Sequence, residues 1–224
     1  MPTTVTFLPP ADLHDIVRGM AVVCQLYDKA DPDVSFRYDP DRKVAVGAWR
    51  DFDGNSAHAL FTPDGAVLLG FAGDSPMAPA ARAADTGDFD AFPGLYDQLP
   101  PALKAHVDAD PFAADGFDSR EVTFVLWNTV KTKDWQKGSD IAFPPGGDPD
   151  GQKRVLAKLK AYYTDFPAAF EESYQWDLDP DAVTDLLSGD RVSLNVVRTL
   201  KPDSKDLPEA KDWLTEMGFV VDGG

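Results

Sequence analysis

Between residues 34 and 71, four short runs of apolar, β-branched and aromatic residues follow one another, separated only by tight turn signals. Val34–Tyr38 leads into Asp39-Pro40-Asp41-Arg42. Lys43–Arg50 alternates, with Val44, Val46 and Ala48 on one side, and meets the turn Asp53-Gly54-Asn55. His58–Thr62 runs into Pro63-Asp64-Gly65, and Ala66–Phe71 closes the set. A Pro-Asp-Gly tripeptide between apolar runs turns the chain for three reasons: proline presets φ, Asp bonds its own backbone, and glycine tolerates positive φ. Parallel strands need crossovers of about a dozen residues or more, and these connections are shorter. The stretch therefore predicts an antiparallel β-meander, and any fold must be built around it.

Helices are expected on both sides. Asp12 can N-cap a helix with Asp15 at N3, and Leu13, Ile16, Val17, Met20, Cys24 and Tyr27 recur at spacings of three and four. Asp31-Pro32-Asp33 ends that pattern. Cys24, the single cysteine, cannot form an internal disulfide and reads as a small buried hydrophobe. Residues 72–94, rich in Ala, Gly, Pro and Asp, read as a long loop with a short helix at Ala78–Ala84. Pro93–His106 reads as a helix broken at Pro100-Pro101, 108–119 as an acidic loop, and Arg120–Val130 as a strand. After a loop at 131–150 come a helix at Gln152–Thr164, a continuation from Pro167, and a short helix capped by Asp179-Pro180. Arg191–Leu200 reads as a strand, Leu207–Met217 as a helix stopped by Gly218, and Phe219-Val220-Val221 as a short strand. The expected fold class is α+β, an antiparallel β-meander after an N-terminal helix, with C-terminal helices and two further strands. Residues 1–224 read as one domain, because the later strands need the N-terminal sheet, and the 72–94 loop is the one candidate internal boundary.

Charge narrows the function. The 224 residues carry 21 basic and 38 acidic side chains, a net charge of −17. Phosphate binding needs a basic face, so no nucleic acid is expected as a partner, and an anionic membrane surface is equally excluded. No apolar run approaches the roughly 18 to 20 residues of a membrane helix, and Met1-Pro2-Thr3-Thr4 lacks a basic n-region, so a cytoplasmic location is expected. Residues 74–118 hold nine Asp against Arg82 and Lys104, a balance of −7, and read as the most acidic stretch.

The motifs are few. Gly73-Asp74-Ser75 resembles the nucleophile block of GDSL-type esterases, but Ser75 would need a histidine base, and no His follows His106 where that family has its Asp-x-x-His. Gly70-Phe71-x-x-Asp74-Ser75-Pro76-Met77-x-Pro79 resembles a block in a family of uncharacterised bacterial α+β proteins, roughly Gly-Phe-Asp-His-Glu-Ser-Pro-Met-Ser-Pro. Pro93-Gly94-Leu95 and the strand around Trp127 are similar too. Here Ala72-Gly73 replaces the Asp-His pair, and the resemblance implies no known activity. Asp51-Phe52-Asp53-Gly54 and Asp148-Pro149-Asp150-Gly151 each hold an Asp-x-Asp-Gly piece, but an EF-hand would put Glu where Leu60 and Ala157 stand. His14, His58 and His106 lie in different elements without zinc spacing, and no phosphate-binding glycine loop is present, so neither metal nor cofactor is expected.

The function expected is a non-enzymatic protein-interaction module whose acidic surface steers a basic protein, with immunity proteins against basic toxins as one such class. Its candidate binding residues are Asp74, Ser75, Asp85, Asp88, Asp90 and Trp135. Trp135 stands near Lys131, Lys133 and Lys137 in a loop, either as an exposed anchor or folded onto the body of the protein. The alternative is a hydrolase with a site near Asp74 and Ser75. A third reading assigns the charge to solubility alone, and it expects acid spread evenly over every face.

Overall fold

The computed structural model describes residues 1–27, 32–86, 90–132, 134–202 and 207–222. The chain runs β1 (Thr3–Val5), α1 (Pro10–Tyr27), β2 (Val34–Asp39), β3 (Val44–Arg50), β4 (Asn55–Thr62), β5 (Gly65–Ala72), α2 (Pro79–Thr86) and α3 (Pro101–Asp108). It continues through β6 (Phe124–Thr129), β7 (Trp135–Lys137), α4 (Gln152–Thr164), α5 (Phe166–Tyr174), α6 (Pro180–Leu187), β8 (Arg191–Ser193), α7 (Leu194–Leu200), α8 (Leu207–Glu216) and β9 (Val220–Asp222). The fold is α+β. Seven strands form one antiparallel sheet in the order β1-β7-β6-β5-β4-β3-β2, and β8 and β9 pair in parallel as a separate small sheet.

The four-strand meander is present, and β6 extends it by pairing directly with β5 across the 72–94 loop. Pairing puts Ala45, Gly47, Ala57, Ala59 and Ala66 on one face and Val46, Leu60, Val67 and Leu69 on the other. Both faces are buried. The small-residue face lets α1 lie close, so that a Cβ on Gly47 would come within 2.6 Å of Val17 Cγ1. Behind α1, Gly19 meets α6 just as tightly, and a Cβ there would sit 2.5 Å from the Leu186 carbonyl oxygen. α4, α5, α6, α7 and α8 complete this side of the core. The larger-residue face packs beneath α3 and the loops flanking it, through Met77, Leu95, Leu103, Val107 and Phe112.

Arg18, buried on α1, ties the C-terminal segment to that helix. Its guanidinium donates to Asp15 Oδ1 at 3.0 Å, to the Gly189 carbonyl at 2.8 Å and to the Gly218 carbonyl at 3.3 Å. It also lies 4.2 Å over the Phe219 ring. A buried charge is tolerable only when so many of its protons are matched.

Several boundaries differ from the sequence reading. α1 begins at Pro10, so Asp12 sits in its first turn and does not cap it. Residues 93–99 form turns, and the helix starts only at Pro101, after the Pro pair. Arg191–Leu200 is not one strand. After three residues Ser193 Oγ accepts from Asn195 N at 3.1 Å and caps α7. Val192, Leu194 and Val196 fit an alternating period while Leu194, Val197 and Leu200 fit a helical one, and the cap decides between them. The turn Asp31-Pro32-Asp33 lies partly outside the described residues.

Replacing Gly19 by Ala tests the α1–α6 contact. Helix propensity alone would favour Ala by about 1 kcal/mol. We expect instead a net loss of about 1–3 kcal/mol in urea unfolding, because the new methyl group meets backbone that cannot swing aside. A gain in the midpoint would contradict this packing.

Candidate functional site

The Gly70–Met77 block is a buried seam. Gly70 has no room for a side chain, since a Cβ would overlap the Phe124 ring. Thr123 Oγ1 accepts from Ala72 N at 3.2 Å and donates to the Asp150 carbonyl at 2.7 Å. Ser75 is 2% exposed, donates to the Pro149 carbonyl at 2.7 Å and accepts from Met77 N at 3.0 Å. Asp150, also buried, pairs with Lys137, whose Nζ reaches Gln152 Oε1 at 2.8 Å. The block thus fastens the strand end of β5 to the start of α4. A hydroxyl held on a carbonyl and shielded from solvent is not poised to attack a substrate.

Asp74, Asp90 and Trp135 do not converge on Ser75. Asp74 is exposed and pairs with Arg154 of α4. Asp85 lies near the end of α2, and Asp88 lies outside the described residues. Asp90 is exposed, and its carbonyl accepts from Arg82. Trp135 is 1% exposed, so it is no surface anchor. β7 is clamped between β1 and β6, which turns the indole inward, and Nε1 donates to the Leu8 carbonyl at 2.6 Å.

Both Asp-x-Asp-Gly pieces are turns. Asp51 Oδ1 accepts from Asp53 N at 3.0 Å and Asn55 N at 2.8 Å, while Oδ2 takes Lys158 Nζ at 3.0 Å. Burial works to raise the Asp51 pKa, and the bonds from Asn55 and Lys158 overcome it and hold the carboxyl below its usual value. Asp148 receives Lys153 N and Arg154 N, each at 3.0 Å, and so caps α4. Among the described residues no group of three or more His, Cys, Asp or Glu is placed to hold a metal ion.

Two features were missed in the sequence reading. The first is an acidic stretch over α5, α6 and the segments that flank them. Residues 161–190 carry eight acids and no base, a balance of −8 that exceeds the 74–118 stretch in a shorter span. All eight are exposed: Asp165, Glu171, Glu172, Asp177, Asp179, Asp181, Asp185 and Asp190. Asp179 also caps α6, accepting from Ala182 N at 2.8 Å. The α5–α6 connection is pinned by Leu178, which points into the core, while Trp176 is left 54% exposed. The Trp176 indole rests against Tyr27 with ring centroids 5.2 Å apart. A simple count of bases between Ala161 and Asp190 would have found this stretch.

The second is a cavity of about 430 Å³ between the outer strands β2, β3 and β4 and the segment 114–117. Ser35, Ser56, His58, Asp115 and Phe117 line it. Asp115 accepts from Arg37 Nη2 at 2.6 Å and from Ser35 Oγ at 3.4 Å, which holds the covering segment on the sheet. His58, 7% exposed, stacks on Phe117 at 3.7 Å, and its Nδ1 is buried without a hydrogen-bond partner. Burial lowers the His58 pKa to about 4, against a smaller opposing pull from Asp115. His58 is therefore a neutral imidazole at neutral pH. His14 is half-buried on α1, edge-on to Phe36 and Phe61, and its Nδ1 lies 2.9 Å from Asp15 Oδ1. No helix among the described residues is long and apolar enough to cross a membrane.

These contacts have measurable consequences. Ser75→Ala should cost about 1–3 kcal/mol in urea unfolding, the penalty for stranding buried backbone groups. His58 gives the protein a pH dependence of stability. The unfolded chain takes up a proton near pH 6.5 and the folded one only near pH 4, so stability is full above about 6.5 and falls as the pH drops toward 4. His58→Phe should flatten that part of the stability profile, a difference of about 3 kcal/mol at its acid end. Compared with known protein families, curated proteins and solved structures, the chain matches none.

Proposed function

We propose that this chain is a protein-binding module that docks a basic surface of another protein on its α5–α6 face. The observation that carries the reading is Trp176, an exposed indole within a stretch of chain, residues 161–190, that holds eight exposed carboxylates and no base. Carboxylates attract a basic partner over distance and orient it. A large aromatic ring supplies the desolvated contact that converts encounter into affinity. Neutralising a basic toxin, as immunity proteins do, is one form such binding takes. The layer of residues 90–121 is a weaker match: it holds seven acids and two bases, and Lys104 and Arg120 pair with Asp108 and Asp118 of the same layer. The hydrolase alternative at Asp74 and Ser75 gains no support, because Ser75 is buried and bonded to Pro149.

An arginine-rich peptide carrying a few apolar residues serves as a probe, with binding read by tryptophan fluorescence and stopped-flow rates. Replacing Glu171, Asp177 and Asp181 by their amides should weaken binding about tenfold or more, and Trp176→Ala should do so without changing the salt dependence. Neutralising Asp97, Asp110 and Glu121 instead should change it by less than about twofold, within the range of distant surface charge. Equal losses from both sets would mean that only net charge matters, and the docking face would then be abandoned.

A further inference from the structure

A groove of about 460 Å³ lies between the end of β3, the turn that follows it, and the helices α4 and α5. Its lining is mostly apolar and includes Ala161, Ala168 and Ala169, and it carries four acids against the single base Lys158. Lys158 is engaged by the turn, with Nζ 3.0 Å from Asp51 Oδ2 and 2.5 Å from Asp53 Oδ2. The other two acids, Asp165 and Glu172, are exposed, and neither pairs with a Lys or Arg among the described residues. Asp165 stands at the N-cap of α5 but accepts no capping hydrogen bond there. Ala168, Ala169 and Glu172 follow it at spacings of three, four and seven, so the four share one side of α5. The two carboxylates are thus about 10 Å apart along the helix axis, with the alanine methyl groups between them. Glu172 also belongs to the acidic stretch 161–190, so the groove is continuous with the proposed docking face.

This combination selects its occupant. An anion would meet four carboxylates and one ammonium already neutralised. A purely apolar side chain would cover Asp165 and Glu172 and leave them desolvated without a partner. A side chain that is aliphatic along its length and cationic at its tip satisfies both parts of the lining. Arginine suits it better than lysine, because a guanidinium is planar, more weakly hydrated and offers several donors to a carboxylate.

We propose that this groove receives an arginine side chain of the basic partner, its stem against Ala168 and Ala169 and its guanidinium paired with Asp165 or Glu172. This site rests on the α5–α6 docking reading and extends that face along α5 to the β3–β4 turn.

The test titrates the full chain with the arginine-rich peptide, reading contact by alanine-methyl NMR and affinity by calorimetry. The Ala168 and Ala169 methyl resonances should shift saturably. Ala168→Leu fills the groove without changing charge, and it should weaken binding about tenfold with the salt dependence intact. Asp165→Asn with Glu172→Gln should also weaken binding about tenfold, and should lessen its salt dependence. The same peptide with every arginine replaced by lysine should bind about fivefold more weakly. Circular dichroism confirms the fold of each variant. If the peptide binds and Trp176→Ala weakens it, but Ala168→Leu binds as the wild type does or the two methyl groups do not shift, the groove proposal is overturned and the docking face stands. Equal affinity for the lysine peptide overturns the assignment to arginine. No binding of either peptide to the wild-type chain overturns the docking face itself, and the groove with it.

Discussion

The structure depends on how closely α1 can approach its neighbours. Gly47 and the alanines of β3, β4 and β5 let Val17 settle on the sheet, and Gly19 lets α6 settle on the back of α1. The helix is thereby buried on both sides, which explains why Val22, Val23 and Cys24 are as buried as Leu13 and Met20. Interiors tolerate few voids and little overlap, so two glycines set the spacing of two layers. Arg18 then uses that position to gather the carbonyls of Gly189 and Gly218, and the small β8–β9 sheet is held beside α1.

The same logic explains the Gly70–Met77 block. Its residue types resemble a catalytic motif because small, hydroxylic and acidic residues also suit a crowded junction. Gly70 accommodates Phe124, Ser75 bridges to Pro149, and Asp74 pairs with Arg154 of α4. In this chain the block serves packing and hydrogen bonding.

The proposed docking face lies elsewhere, on α5, α6 and their connection. The α5–α6 stretch is acidic and exposes an indole, which suits a macromolecule of opposite charge. The β2–β4 cavity is lined by Ser35, Ser56, His58, Asp115 and Phe117, and the unpartnered Nδ1 of His58 is sealed from its contents. The pH response of His58 arises from burial beside that cavity and not on the α5–α6 stretch.

The meander was legible because its evidence is local: alternation sets the strands, and Pro63-Asp64-Gly65 sets the hairpin. Apart from α7, the helices of the C-terminal third were legible for the same reason, from caps and spacing. The exposure of Trp135 was not legible, because β7 acquires its burial from β1, which lies some 130 residues earlier in the chain. Arg191–Leu200 fitted two periods, and only the Ser193 cap separates them. The acid of residues 161–190 was present in the sequence, but its meaning depended on every carboxylate being exposed and on Trp176 being exposed with them. The sequence by itself determined the α+β class and the sign of the charge, since both follow from neighbouring residues and composition. Tertiary structure alone decided which aromatic is exposed and which histidine is sealed in a cavity, since burial is set by contacts between segments far apart in the chain.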